Sequence, residues 1–90
     1  MALDKASALG RIDAYFDGWN AHDCSAIRRT FASTGTYADP TTEAPVAIAD
    51  IGRVVEPRWA AFPDVRVERS STIGDGQHVV TEWVMCGREE

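Results

Sequence analysis

Apolar residues recur at three- and four-residue steps near the start of the chain, which is the spacing of one face of a helix. We predict this helix from Asp4 to Asn20, with an apolar face formed by Leu9, Ile12, Tyr15, Phe16 and Trp19. After a polar break, Asp23 stands where the N-cap of a second helix is expected. Ile27 and Phe31, four residues apart, give this short helix its apolar side.

The middle of the chain predicts one short strand and one longer helix. The strand covers Thr36–Asp39 and ends at Pro40, because proline cannot donate a ladder hydrogen bond. Apolar residues then return at helical steps from Val46 to Phe62, and they include Ile48, Ile51, Val55 and Trp59. Pro57 lies off this apolar stripe, and we expect either a kink there or a break into two short helices.

The last third of the chain alternates apolar and polar positions, as half-buried strands do. A first strand begins at Val65, and the glycines of the Gly74–Gly76 segment predict the turn that follows it. The second strand is His78–Cys86, and one of its faces consists of Val79, Thr81, Trp83 and Met85. The two strands should pair as an antiparallel hairpin. The order α-α-β-α-β-β predicts an α+β fold with three helices packed on a curved, mostly antiparallel sheet.

Composition and charge restrict the classes of partner. The 90 residues suit a single domain spanning residues 1–90. The formal net charge of −5 argues against a nucleic-acid partner, because phosphate binding needs a basic face. No apolar run approaches the roughly 20 residues that cross a membrane, so we expect no membrane association. Cys24 and Cys86 stand far apart and outside any CxxC pair, which predicts reduced thiols and a cytoplasmic location.

The remaining polar residues give no sign of a metal centre. No spacing of His, Cys, Asp and Glu resembles a set of metal ligands, and we expect no metal site. His22 and His78 lie beside turns, where we expect both side chains to be exposed to solvent. Arg28 and Arg29 are expected on a solvated face of the second helix.

Six segments, in this order, resemble those of a known family. They are WNAHD, FASTGTYADP, AFPD, VRVE, the GDG turn and VVTEWVMCG. Their order and spacing resemble the SnoaL-like polyketide cyclase family, which belongs to the nuclear transport factor two-like superfamily together with ketosteroid isomerase. The resemblance covers nearly the whole chain, and it implies that the helices and the curved sheet form a cone-shaped roll.

The resemblance also concerns the end of the chain. Members of the family continue past the tryptophan-containing strand with a further hairpin, whereas this sequence stops at Glu90. We therefore expect a C-terminally truncated chain, an incomplete N-terminal portion of the domain with its final strands missing. The His78–Cys86 strand would then keep an open edge, which favours self-association as a homodimer.

Asp39 and Tyr15 are the candidate catalytic residues. Asp39 ends a strand in apolar surroundings, where partial desolvation would raise its pKa and make it a better base near neutral pH. It could instead accept a backbone N–H in an Asx-turn. The resemblance implies that Asp39 matches the aspartate base of ketosteroid isomerase, and that Tyr15 matches the tyrosine that donates to its oxyanion. Tyr15 could instead be a core tyrosine with a satisfied hydroxyl.

Aromatic residues on three elements are candidates for binding an apolar substrate, and they are Phe16, Trp19, Trp59, Phe62 and Trp83. Such residues can be pocket lining, plain core or both. The first functional hypothesis is proton abstraction alpha to the carbonyl of a small apolar compound, giving isomerisation or aldol cyclisation with no cofactor. The alternative is a non-catalytic ligand-binding or dimerisation module on the same fold.

Overall fold

Three helices and two small antiparallel sheets make up the part of the chain that the computed structural model describes, residues 5–74 and 78–87. In chain order they are α1 (Lys5–Asn20), α2 (Cys24–Arg29), β1 (Thr36–Tyr37), β2 (Val46–Ala47), a 3-10 turn (Ile48–Asp50), α3 (Gly52–Ala61), β3 (Arg66–Gly74) and β4 (Val79–Cys86). The predicted α+β class and its three helices are confirmed. The predicted first residue of the first helix, Asp4, lies outside the described residues.

The second helix begins at the predicted cap. Asp23 has an extended backbone, and its Oδ1 atom accepts a hydrogen bond from the Ala26 N–H at 3.1 Å. The helix ends at Arg29, and the hydroxyl of Thr30 donates to the Ile27 carbonyl at 2.7 Å. Ile27 is fully buried against the first helix, so this short helix is held mainly by its packing.

The middle of the chain differs from its prediction in two places. The strand is shorter than predicted, since β1 covers only Thr36–Tyr37. The predicted helix from Val46 to Phe62 begins instead with β2, which pairs antiparallel with β1 through Tyr37↔Val46 and Thr36↔Ala47. Non-local pairing therefore overrides the helical spacing of the first apolar residues. The α3 helix itself runs through Pro57 without a break.

The predicted C-terminal hairpin is present. The β3 and β4 strands pair antiparallel, with Val67 opposite Met85 and Arg69 opposite Trp83, and the register shifts between Arg69 and Ser71. One face of the hairpin packs on α1, whereas the opposite face leaves Ile73, Val80 and Val84 exposed. Of the predicted turn, residues 75 and 76 lie outside the described residues. The described strands form two separate sheets, so the single curved sheet remains a prediction.

Asn20, the last residue of α1, fixes the helix to the hairpin. Its Nδ2 atom donates to the Val67 carbonyl at 3.0 Å, and its Oδ1 atom accepts from the Val67 N–H at 2.6 Å. Asp13 and Arg69 form a second link between α1 and β3, an ion pair in which the guanidinium also lies over the Phe16 ring. The core between these elements contains Phe16, Trp19, Ile27, Ile48, Ile51, Val55, Trp59, Val65 and Val67.

Gly18 allows α1 and α2 to approach each other closely. A Cβ atom at Gly18 would lie 3.0 Å from Ile27 Cγ1 and 3.1 Å from the Ile27 backbone nitrogen. Gly10 lies on the same helix, and a Cβ there would meet nothing within 4 Å. The two glycines therefore differ in packing but share the low helix propensity of glycine.

We expect Gly18→Ala to destabilise the protein by about 1–3 kcal/mol, because the added methyl group overpacks the contact with Ile27. Gly10→Ala is the matched control and should stabilise the protein by about 0.5–1 kcal/mol, since only the helix propensity changes there. Urea unfolding followed by circular dichroism measures both changes. Equal effects of the two substitutions would contradict a close contact at Gly18.

Candidate functional site

A small cavity brings together several of the residues predicted to form a site. It lies between α1, β1 and the hairpin, and we call it the Tyr15 cavity; its lining is Tyr15, Phe16, Trp19, Tyr37, Val67, Trp83 and Met85. Its volume is about 20 Å³, which is enough for one water molecule. The structure thus places Tyr15 beside three of the five predicted substrate-binding aromatics, Phe16, Trp19 and Trp83.

The carboxylate of Asp39 is held by hydrogen bonds on both oxygens. The Tyr37 hydroxyl donates to Oδ2 at 2.6 Å. The Thr41 backbone N–H donates to Oδ1 at 2.7 Å, as in an Asx-turn, and the Thr41 hydroxyl donates to the same oxygen. Nη1 of Arg58 lies 3.7 Å from Oδ2, and the Asp39 side chain is only 16% exposed.

The pKa of Asp39 lies below its ordinary value, opposite to the expected increase. Burial does raise this pKa, but the hydrogen bonds from Thr41 and Tyr37 and the charge of Arg58 outweigh burial and lower the pKa to about 2. The expectation of a desolvated carboxylate with increased basicity is therefore wrong. The apolar neighbours of Asp39 in the sequence do not reveal the donors that stabilise its charge.

Tyr37 donates a hydrogen bond to the Asp39 carboxylate, whereas Tyr15 interacts with that carboxylate through its charge. Burial raises the pKa of Tyr15, hydrogen bonding by Trp19 lowers it, and the charge of Asp39 raises it again. Burial and the hydrogen bond to Asp39 raise the pKa of Tyr37. Both phenols are therefore neutral donors near neutral pH. Tyr37, which donates directly to the carboxylate, was missed, although residues two apart on a strand share a face.

The other two predicted substrate-binding aromatics lie apart from the Tyr15 cavity. Trp59 packs edge-on against Trp19, with ring centroids 5.7 Å apart. The ring of His22 also stacks on Trp59, with ring centroids 5.0 Å apart. The Trp59 Nε1 atom is buried and has no hydrogen-bond partner among the described residues. Phe62 instead lines a separate cleft of about 240 Å³, the Phe62 cleft, formed by Arg58, Phe62, Val65, Met85, Cys86 and Gly87.

The position of His22 also differs from its prediction. Its side chain is half-buried rather than exposed, because Nε2 lies 3.2 Å from the Val65 carbonyl and the ring stacks on Trp59. Its backbone has a φ of 53°, the left-handed conformation that commonly ends a helix. His22 therefore helps to join the end of α1 to the hairpin, and His78 is exposed as expected.

Residues 5–74 and 78–87 contain neither a candidate metal site nor a candidate membrane-spanning helix. No group of three or more His, Cys, Asp and Glu side chains there could hold a metal ion. Over the same residues, no helix combines the length and the apolar character needed to cross a membrane.

Comparison with known proteins decides the family. The family model described as the SnoaL-like domain matches residues 12–90. The chain belongs to this family. The crystal structure of AclR from Streptomyces galilaeus, for which hydroxylase activity has been suggested, matches this SnoaL-like domain with a TM-score of 0.77 and 20% sequence identity. The match covers 93% of this chain and 62% of AclR.

The likeness to AclR concerns the fold, because sequence identity is low. The SnoaL-like domain spans about three-fifths of the length of AclR. A comparison with curated protein sequences finds no match. The roles of individual side chains therefore have to be argued from their contacts in this chain.

We expect Tyr37→Phe to raise the pKa of Asp39 from about 2 towards its ordinary value, because one charge-stabilising donor is lost. The ¹³C chemical shift of the Asp39 carboxyl group, followed against pH, measures this. Tyr15→Phe is the matched control: it removes a phenol hydroxyl that acts on Asp39 only through space, so its effect should be smaller.

The lowered pKa of Asp39 also affects the stability of the folded state. Because the folded pKa is depressed, Asp39 stabilises the folded state above its unfolded pKa of about 3.9, and this stabilisation is lost as the pH falls towards about 2. The wild-type protein should therefore lose stability more steeply than Tyr37→Phe between about pH 4 and pH 2. Parallel pH profiles would show that Tyr37 does not stabilise the carboxylate.

Proposed function

We propose that this SnoaL-like domain binds a small apolar molecule that carries a carbonyl oxygen, with the oxygen at Tyr15. The observation that supports this most directly is that Tyr15 lines a cavity whose other walls are mainly aromatic and aliphatic. Small-molecule sites commonly combine apolar walls with a few polar groups that orient the ligand. AclR's suggested hydroxylase activity does not select a reaction for this chain.

Tyr15 is the better donor of the two phenols in the cavity. The proton of Tyr37 is already engaged with Asp39 at 2.6 Å, and moving it would leave a half-buried carboxylate without one of its donors. Trp19 hydrogen-bonds to Tyr15, and because an indole N–H can only donate, the phenol oxygen is the acceptor in that bond. A ligand oxygen that accepts from Tyr15 therefore gains a hydrogen bond without breaking one.

The low pKa of Asp39 favours binding without catalysis over proton abstraction. A carboxylate with a pKa of about 2, engaged on both oxygens, is a weak base. One observation still supports the catalytic candidate, because Asp39 is ionised and its charge reaches Tyr15. In that second candidate, Asp39 removes a proton alpha to the carbonyl and Tyr15 donates to the enolate oxygen. The homodimer, the cytoplasmic location and the cone-shaped roll remain predictions.

Tyr15→Phe tests the binding proposal with a pair of probes, cyclohexanone and cyclohexane. We expect the substitution to weaken cyclohexanone binding about five- to tenfold, the effect of losing one hydrogen bond of about 1 kcal/mol. Cyclohexane binding should not change, because cyclohexane has no oxygen to accept a hydrogen bond from the Tyr15 hydroxyl and the phenylalanine ring keeps the apolar contact. Tryptophan fluorescence and the indole N–H resonances of labelled protein give both dissociation constants.

Two results would contradict this proposal. A wild-type protein that binds neither probe would exclude an accessible apolar site at Tyr15. Equal weakening for the ketone and the hydrocarbon would mean that Tyr15→Phe disturbs the cavity rather than a specific hydrogen bond. Circular dichroism confirms that the variant is folded before either comparison is made.

Asp39→Asn separates binding from catalysis. Enolisation of cyclohexanone in D₂O exchanges its alpha protons for deuterium, which proton NMR follows directly. If Asp39 is a base, the wild-type protein accelerates this exchange and Asp39→Asn lowers the rate about 10²-fold or more. Exchange at the buffer rate in the wild-type protein would leave the non-catalytic function as the correct one.

A further inference from the structure

We propose that Met85 separates two parts of one ligand site and sets the size of ligand that the site accepts. This inference rests on the proposed binding function, and it adds the Phe62 cleft as the place for the body of a larger ligand. Among residues 5–74 and 78–87, Met85 is the one that lines both the Tyr15 cavity and the Phe62 cleft.

The two spaces follow each other along the inner face of the hairpin. Along β4 and the residue that follows it, Trp83 lines the cavity, Met85 lines both spaces and Gly87 lines the cleft. On the opposite side, Val67 lines the cavity and Val65 lines the cleft. Alternate residues of an extended chain point to the same face and lie about 6.6 Å apart. The cavity and the cleft are therefore neighbours, with the Met85 side chain between them.

Volume explains why the two spaces should act together. The cavity measures about 20 Å³ and the cleft about 240 Å³, whereas ligand pockets usually measure about 300–1,000 Å³. Methionine is unbranched, has three rotatable side-chain bonds and adapts to irregular spaces. Met85 is half-buried and packs against the core from outside it, and rotation of its side chain would join the two spaces.

Each of the two spaces has a polar residue in its lining. Tyr15 lies in the cavity, and Arg58 lines the cleft while its guanidinium stays within 3.7 Å of Asp39. Because Asp39 already balances the charge of Arg58, the cleft suits a neutral body more than a strong anion.

Two ketones of different size test this role, cyclohexanone with one ring and 2-decalone with two. The tryptophan indole N–H resonances give their dissociation constants for the wild-type protein and for Met85→Ala. We expect Met85→Ala to improve 2-decalone binding at least fivefold relative to cyclohexanone, because the smaller side chain no longer has to move. Met85→Leu, close to methionine in volume, should restore a ratio near that of the wild-type protein.

A direct readout and a control accompany these ratios. The chain has two methionines, Met1 and Met85, so ¹³C-methyl labelling gives two resonances, and Met85→Leu identifies the one that disappears. That methyl resonance should shift when the wild-type protein binds 2-decalone. Val84→Ala is the matched control, because Val84 directly precedes Met85 on the strand but is 58% exposed on the opposite face. It should leave the ratio unchanged.

The outcomes distinguish the two proposals. If the wild-type protein binds cyclohexanone but Met85→Ala leaves the ratio within twofold of wild type, the role of Met85 is wrong and the binding function stands. If neither the wild-type protein nor Met85→Ala binds either ketone, the binding function is wrong and this inference fails with it. Binding of 2-decalone only after Met85→Ala supports Met85 as the barrier.

Discussion

Two hydrogen bonds between the Asn20 side chain and the Val67 backbone hold the two halves of the candidate site together. A side-chain amide supplies both a donor and an acceptor, so it satisfies the outer edge of β3 as a neighbouring strand would. Losing either bond would leave a part-buried backbone group unpaired, at a cost of about 1–3 kcal/mol. Because Tyr15 lies on the helix and Met85 on the hairpin, this contact fixes the distance between the two walls of the cavity.

The carboxylate of Asp39 has a comparable structural role on the other side of the cavity. It accepts hydrogen bonds from Tyr37 of β1 and from Thr41 of the loop that follows, and its ion pair with Arg58 reaches α3. These donors offset the desolvation of the half-buried carboxylate. They stabilise its charged form against protonation, which lowers its pKa. The properties that make Asp39 a good anchor for its loop therefore make it a weak base.

The local patterns predicted the elements better than the residues that complete the site. Periodicity alone predicted α1 and the hairpin, but Val46 has a spacing that suits a helix, and only pairing with the distant β1 strand makes it extended. The contact between Tyr37 and Asp39 could have been predicted, because residues two apart in an extended chain share a face. The contact between Arg58 and Asp39 could not, because it depends on how α3 packs against the rest of the fold. Phe62 leaves the helical stripe because its backbone is not helical, which places it in the cleft rather than beside Trp59.

The proposed site combines a rigid end with an adaptable one, and this division follows from burial. On the helix side, Phe16 and Trp19 are buried in the core, so their positions are fixed by the packing that stabilises the fold. On the hairpin side, Trp83 is 49% exposed and Met85 is half-buried, so a ligand can cover apolar surface there without disrupting the core. Covering that surface favours binding by about 25 cal/mol for each Å² removed from water, before the cost of ordering the ligand. Selectivity for the oxygen should therefore come from the rigid end and affinity for the rings from the adaptable end.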